Sequence, residues 1–507
     1  MLVVIYVAAM PLLSGLPRDR YLPLLRPSEG LQLMLTAVAV AAAAIAVANG
    51  RRWELRIQRH EWWLAAMVVA GSLVPVLWLV ARSEPLTGAA ALAAFPLVKY
   101  GALYLLVRAC VTTVDEIRTV VHALVGVAVL LSMVAVAQAL QLGPTAELLG
   151  RYFVSSIDDV ADGGRATTTI GSSIATGAFL TLALGLTVAR AVLTGRHRWL
   201  LAACPLGLGA LASGQAGTVV ALVVIVGIMA KAQARSRLLR LRPLAGLLAP
   251  ALVLAAAVSW PVVLERLEDV NSQTGLPTSW LVRWDNISEL YLPSLLDWGW
   301  VLGVTPNSEQ LPPDLWRESV YLESGYLWML WVGGIPLLVA AIGFLASTFA
   351  MTGSTAAADD TTDTAWLTTV TTAARAGVAM MAVLSVIDPH LTLRAGADLF
   401  FVLAALASTG VRLASPRPAV ASVWRCLLGA NDDRGPRSAP GVPAPTSARL
   451  YVREAACAAN SGFTKLRLEV VDDGMVAASA VLAIHLDRAG SRGELGPVTS
   501  ADERSVQ

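Results

Sequence analysis

Charge is what this chain lacks. Only 15% of its 507 residues are Asp, Glu, Lys or Arg, where soluble globular chains carry roughly a quarter. That shortage excludes a string of water-soluble domains, of which the length alone would allow about three. The charges nearly cancel, at net +2, so no basic face points to nucleic acid. Cysteine is also scarce. Cys110, Cys204, Cys426 and Cys457 are scattered without CxxC or zinc-type spacing. They read as small apolar filler and not as a redox or metal site. The chain has no Walker P-loop, HExxH, GxSxG or dinucleotide fingerprint. Chemistry driven directly by ATP or bound zinc therefore has no motif, and no cofactor or metal is expected. No tandem repeat is present either.

What the chain has instead is apolar sequence in long blocks. Hydrophobic residues make up 56%, and the mean hydropathy is +0.63. A bilayer core of about 30 Å needs about 20 apolar residues per helix. By that rule there are about twelve spans, near residues 2–16, 31–49, 62–81, 86–107, 119–141, 170–190, 199–212, 216–231, 244–262, 324–350, 366–387 and 397–411. The seventh and eighth are short. "MLVVIYVAAMPLLSGLPRDR" at the N-terminus lacks a basic n-region and a small-x-small cleavage site, so it reads as a first span and not as a removed signal peptide. The expected fold class is all-α: a polytopic membrane domain over residues 1–411. The Pro-, Ser- and Gly-rich remainder, 412–507, is expected to be a mostly disordered cytoplasmic tail. Within it, "KLRLEVVDDGMVAASAVLAIHLD" has the pattern of a strand or two.

Three loops are rich in arginine: "RRWELRIQRH" at 51–60, "TGRHRW" at 194–199 and "KAQARSRLLRLR" at 231–242. With twelve spans all three fall on one side, which the positive-inside rule makes cytoplasmic. Both termini then lie inside. "PRDRYLPLLR" at 17–26 is an exception, with three arginines on the outer side. Two outer loops are long, about 142–169 and about 263–323. The second exceeds a simple connector, and loops of that size usually carry function. Its stretch "WDNISELYLPSLLDW" fits an amphipathic helix lying on the outer interface.

Charges near spans are functional candidates by default. Arg165 precedes "ATTTIGSS", where hydroxyls and a helix start would suit a phosphate. The plain alternative is an arginine snorkelling to headgroups. Arg283 in "LVRWDNISEL" and Arg317 in "LWRESVYLESGYL" are further anion ligands, or interfacial arginines. Glu323 at the start of the tenth span is a general base or merely a complement to a helix dipole. Asp388, His390 and Arg394 cluster in "DPHLTLRAGAD", and His390 is the rival base. Asp158, Asp159 and Asp162 would suit a divalent cation or a solvated loop. Lys99 lies inside the fourth span and either snorkels or pairs internally.

Taken in order, "RATTTIGSSIATGAFLTLALGL", "LGALASGQAGTVVALVVIV", "LVRWDNISELYLPSLLDWGWVLGVTP" and "LESGYLWMLWVGGIPLLVAAIGFL" resemble the O-antigen ligase/polymerase family of bacterial membrane proteins. The likeness covers roughly residues 151–344. It implies a GT-C-like membrane fold in the bacterial inner membrane. It also implies transfer of glycan from a polyprenyl-diphosphate carrier to an acceptor glycan or lipid, alongside a flippase or other polysaccharide-assembly proteins. By that resemblance Arg165 and Arg283 would hold the diphosphate and Glu323 would deprotonate the acceptor. Two positions depart from the family: Glu323 stands where many ligases have His, and Gln215 stands where an Arg is common. The departures favour a polymerase over a ligase. A lipid-linked glycan transporter and a non-catalytic envelope scaffold are the rival readings.

Overall fold

The computed structural model describes residues 1–18, 21–49, 57–153, 165–235, 274, 278–308, 320–353, 362–414, 449–457, 463–472 and 475–485. The chain divides into two units, Met1–Arg417 and Pro418–Gln507.

The described part of the first unit is helical. Eight of its helices are long and apolar enough to cross a bilayer. They are α2 (Pro27–Ala48), α3 (Arg59–Ala81), α4 (Gly88–Cys110), α5 (Val114–Ala139), α7 (Ser173–Thr194), α11 (Gly325–Gly353), α12 (Thr362–Leu384) and α13 (Gly396–Ala414). Three shorter apolar helices accompany them: α1 (Leu2–Leu13), α8 (His197–Ala212) and α9 (Ala216–Arg235). A short amphipathic helix, α6 (Thr145–Phe153), and a surface helix, α10 (Thr278–Asn286), are also described, besides turns of three to five residues. The expected span at 244–262 lies outside the described residues.

Local sequence explains the helix ends. α3 starts at Arg59, three residues before the apolar run, because Glu61 reaches back to the Gln58 N–H at 2.7 Å and closes a capping box. Thr113 and Glu116 do the same for α5. Inside α3, Val69–Leu73 form a π turn just ahead of Pro75, whose missing N–H interrupts the α ladder.

Burial sorts the helices into layers. In α7, 83% of the apolar window is buried within the protein, against 11% in α2. A helix buried all round belongs to a core, and one that exposes apolar side chains all round needs lipid. Met34, Val38, Val40 and Ile45 of α2 are exposed and supply that lipid-facing surface. α7, α12 and α13 form the centre, where Phe344 stacks on Phe401 and meets Phe400 edge-on. Around them pack α5, α8, α9, α4 and α11, and α3 lies along α11.

An ion pair crosses this interior. Lys99 Nζ lies 2.9 Å from Asp398 Oδ1, and both residues are buried. The Tyr6 hydroxyl donates to Asp398 at 3.1 Å, and the Gln32 amide donates to the Lys99 carbonyl at 2.6 Å. Lys99 therefore pairs internally, and the snorkelling alternative is excluded. The pair ties α1, α2, α4 and α13 together.

The second unit contains the stretch read as a strand or two within the expected tail. Its described residues form a three-stranded antiparallel sheet: β1 (Arg449–Cys457), β2 (Phe463–Asp472) and β3 (Met475–His485), in that spatial order. The two anticipated strands are β2 and β3, joined across two residues, the spacing of a tight hairpin. β1 is additional. It pairs Leu450 with Val470 and Val452 with Leu468 before a register shift.

Removing one member of the Lys99–Asp398 pair leaves a charge buried alone. Asp398→Asn is expected to destabilise the protein by about 3–5 kcal/mol, and the double variant Lys99→Met/Asp398→Leu by much less. Melting of the purified protein in detergent, followed by loss of the monodisperse peak, measures both.

Candidate functional site

One end of the bundle gathers the starts of four helices: α7, α9, α11 and α13. The chain leading into α7 is fixed there by hydrogen bonds. The Ala166 N–H donates to the carbonyl of Ala212, the last residue of α8, at 2.9 Å. The buried Gln138 amide oxygen accepts from the N–H groups of Thr167 and Thr168, at 3.0 Å each. Gly171 sits at φ +71°, and a Cβ there would lie 2.3 Å from the Phe153 carbonyl, so the turn needs glycine.

The stretch "ATTTIGSS" supplies several of the bonds that hold this turn. Its hydroxyls are largely spent on the fold. Thr168 and Thr176 share a hydrogen bond at 3.0 Å, and Thr169 donates to the Pro11 carbonyl at 2.9 Å. Ser172 caps α7 through the Ala175 N–H, and Ser173 accepts from the Gln215 amide at 2.8 Å. Arg165 stands at the front of this turn, half-buried. Among the described residues it has no ion-pair or hydrogen-bond partner.

Gln215 lies in the turn from α8 to α9. It lines a small cavity of about 10 Å³ together with Asp388, His390, Thr218 and the start of α7. That is room for about one water. Asp388 and His390 come from the loop after α12. The loop is held down because the Ser385 carbonyl accepts the Gly325 N–H at 2.8 Å and the Tyr326 hydroxyl donates to the Ala382 carbonyl at 2.6 Å. His390 Nε2 lies 4.0 Å from Asp388 Oδ2, and its buried Nδ1 has no hydrogen-bond partner among the described residues.

The large loop brings the last part. From α10 the chain runs through two π turns and ends at Gly303, which abuts the Val332 carbonyl. There α11 is broken. Gly334 has φ +64° and ψ −159°, and Pro336 follows it. The break frees the Trp331 carbonyl from its own helix, and it accepts the Val304 N–H at 2.6 Å. The buried Tyr291 hydroxyl donates to the Val320 carbonyl at 2.8 Å, and the Trp331 indole donates to the Asn307 carbonyl at 3.1 Å. So clamped, α10 sets the Arg283 guanidinium in an ion pair with the Glu323 carboxylate. Trp280, Trp284, Leu296 and Trp298 of the same segment are exposed. Such a surface suits a membrane–water interface and accords with the expected interfacial helix.

Burial pushes the Asp388 carboxyl up to about 6; Arg283 opposes the rise and Glu323 adds to it. Burial lowers the His390 imidazole to about 4. At neutral pH the loop therefore carries an ionised Asp388 next to a neutral His390.

The structure thus brings Arg283, Glu323, Asp388 and His390 into one electrostatic group. It places Gln215 on the Asp388 cavity and ties Ala166, next to Arg165, to the end of α8 just before that turn. Arg394 instead donates to the Ser14 carbonyl at 3.4 Å. Arg317, Asp158, Asp159 and Asp162 lie outside the described residues. Sequence reading placed Asp388 in the cluster but not among the bases. Its signal was its position between two helices, where burial raises a carboxyl. Comparison with protein-family models and with curated proteins finds no match.

The two titrating groups make a sharp expectation for stability. A raised acid favours the fold while protonated, so Asp388 loses stabilisation as pH rises from its ordinary value near 3.8 to about 6. A lowered histidine favours the fold while neutral, so His390 gains stabilisation as pH rises from about 4 to its ordinary 6.5. The two offset each other, since folded and unfolded chains hold one proton each across that window. Asp388→Asn is expected to unmask stability that rises from pH 4 to 6.5. His390→Gln is expected to unmask a fall from pH 4 to 6. Thermal melts across that range read both slopes.

Proposed function

We propose that this protein is a membrane glycosyltransferase, a polymerase or ligase that moves glycan from a polyprenyl-diphosphate carrier to an acceptor glycan or lipid in envelope or exopolysaccharide assembly. The observation that carries the reading is the Arg283–Glu323 ion pair beside Asp388, at the end of the bundle where four helices begin. Helix N-termini and an arginine fork both favour phosphate oxygens. The order of sequence motifs resembling the O-antigen ligase/polymerase family points the same way.

In this reading the membrane unit is a twelve-span, GT-C-like bundle in the bacterial inner membrane, with its ninth span at 244–262 and both termini cytoplasmic. Glu323 acts as a resident counter-ion for Arg283 until the carrier arrives. The diphosphate then shares the guanidinium, and Arg165 meets it from the α7 side. The prenyl tail lies between spans, and the exposed tryptophans of the large loop rest at the interface. The acceptor hydroxyl loses its proton to a carboxylate as its oxygen bonds to the anomeric carbon. The bond from that carbon to the diphosphate breaks, and the leaving group keeps the electron pair. The arginines neutralise the charge as it develops.

Asp388 suits the base better than either sequence candidate. Glu323 is engaged by Arg283. His390 titrates near 4, too weak a base for neutral pH, whereas Asp388 titrates at about 6.

Purified protein in lipid, given polyprenyl-diphosphate oligosaccharide, tests this by release of free polyprenyl diphosphate with growth of the glycan. Arg165→Ala and Arg283→Ala are each expected to lower the rate by about 100-fold or more, and EDTA to leave it unchanged. Activity should rise through about pH 6, the Asp388 value, and Asp388→Asn should abolish that limb. Full activity in the double arginine variant would sink the reading. Carrier movement across the bilayer without bond cleavage would establish a transporter instead.

A further inference from the structure

The opposite end of the bundle holds a larger opening that this chemistry does not use. A crevice of about 570 Å³ lies between the start of α3 and the second half of α11. Gln58, Arg59 and His60 form its polar end, and Trp63, Ala346 and Ala350 line its apolar wall. The opening exists because α11 carries small residues on that side up to Met351, which closes its end. The Trp63 ring is seated against Gly343, where a Cβ would lie 2.4 Å from it, and nothing larger than alanine or serine follows at 346, 347 and 350.

At the polar end, Arg59 is not balanced by any acid among the described residues. The nearby acid, Glu61, is already saturated. Its Oε1 accepts from Arg108 Nε at 2.9 Å and the Tyr104 hydroxyl at 3.1 Å, and its Oε2 accepts the Gln58 N–H at 2.7 Å. His60 Nε2 is bonded to the Tyr104 hydroxyl at 2.7 Å. Arg59 is exposed and, among the described residues, has no ion-pair partner. It sits in the first turn of a helix long and apolar enough to cross a bilayer, and the apolar wall begins one turn further along that helix.

We propose that this crevice binds one anionic glycerophospholipid, with its phosphate on Arg59 and one acyl chain along Ala346 and Ala350. A cationic pocket between spanning helices at the membrane surface is the arrangement that recognises acidic headgroups. The apolar wall selects a lipid over a free phosphate ion, which would leave that wall uncovered. The site is independent of the glycan-transfer reading.

The test is native mass spectrometry of the full chain, released from nanodiscs containing phosphatidylglycerol or phosphatidylcholine. Wild type is expected to retain about one phosphatidylglycerol and no defined phosphatidylcholine. Arg59→Gln should cut that retention at least five-fold, and Ala350→Phe should do so by filling the wall. Both positions are exposed, and a monodisperse elution profile confirms that each variant folds. Three results would overturn the proposal: undiminished retention in either variant, equal retention of phosphatidylcholine, or displacement of the lipid by inorganic phosphate.

Discussion

The candidate site rests on one interruption in a helix. Where α11 passes Gly334 and Pro336, a backbone carbonyl in the membrane unit loses its intrahelical partner. A carbonyl left unpaired in such surroundings is costly. The Val304 N–H satisfies it, and so the large loop is pinned to the bundle. Arg283, carried by that loop, can then meet Glu323, which precedes the same helix. Were α11 regular, Trp331 would bond to Ile335 and the loop would lose its anchor. The glycine pair is therefore a requirement for placing a charge some fifty residues earlier in the chain.

The same economy governs the turn before α7. Short hydroxyl side chains near a helix start look like ligands for an anion when read along the sequence. In three dimensions they first satisfy the backbone of a chain segment that runs among helices. The Thr169 hydroxyl donates to the Pro11 carbonyl and the Thr168 hydroxyl accepts the Ile170 N–H, while Thr167 accepts from the Gln138 side chain. What is left for recognition is the arginine in front of them and the ends of the helices themselves. A polar residue at membrane depth has two tasks, and the structural one is met first.

Much of the architecture was legible because it is local. A run of about 20 apolar residues is a helix wherever it sits in a bilayer, and each described span falls within a few residues of its sequence-based limits. Where the limits moved, a cap moved them, as Glu61 did for α3. The pairing of Lys99 with Asp398 was not legible, because the partners lie 299 positions apart and nothing in either neighbourhood names the other. Asp388 was visible as a charge, yet its usefulness comes from burial and from Glu323, and a linear pattern contains neither effect. β1 was missed because its apolar positions are interrupted by Arg453 and Glu454, at the point where its register with β2 shifts.

The uneven burial of the helices bears on how the protein is made. α2 is apolar enough to settle in lipid with few protein neighbours. α12 is the least apolar of the eight spans and is rich in threonine, and two thirds of its window is buried among other helices. Its stability in the membrane comes from those neighbours and not from lipid. Three of those neighbours, α7, α9 and α11, precede it in the chain and are synthesised before it; α13 follows it. The order of the sequence is thus also an order of assembly, in which early helices form the solvent for the late ones.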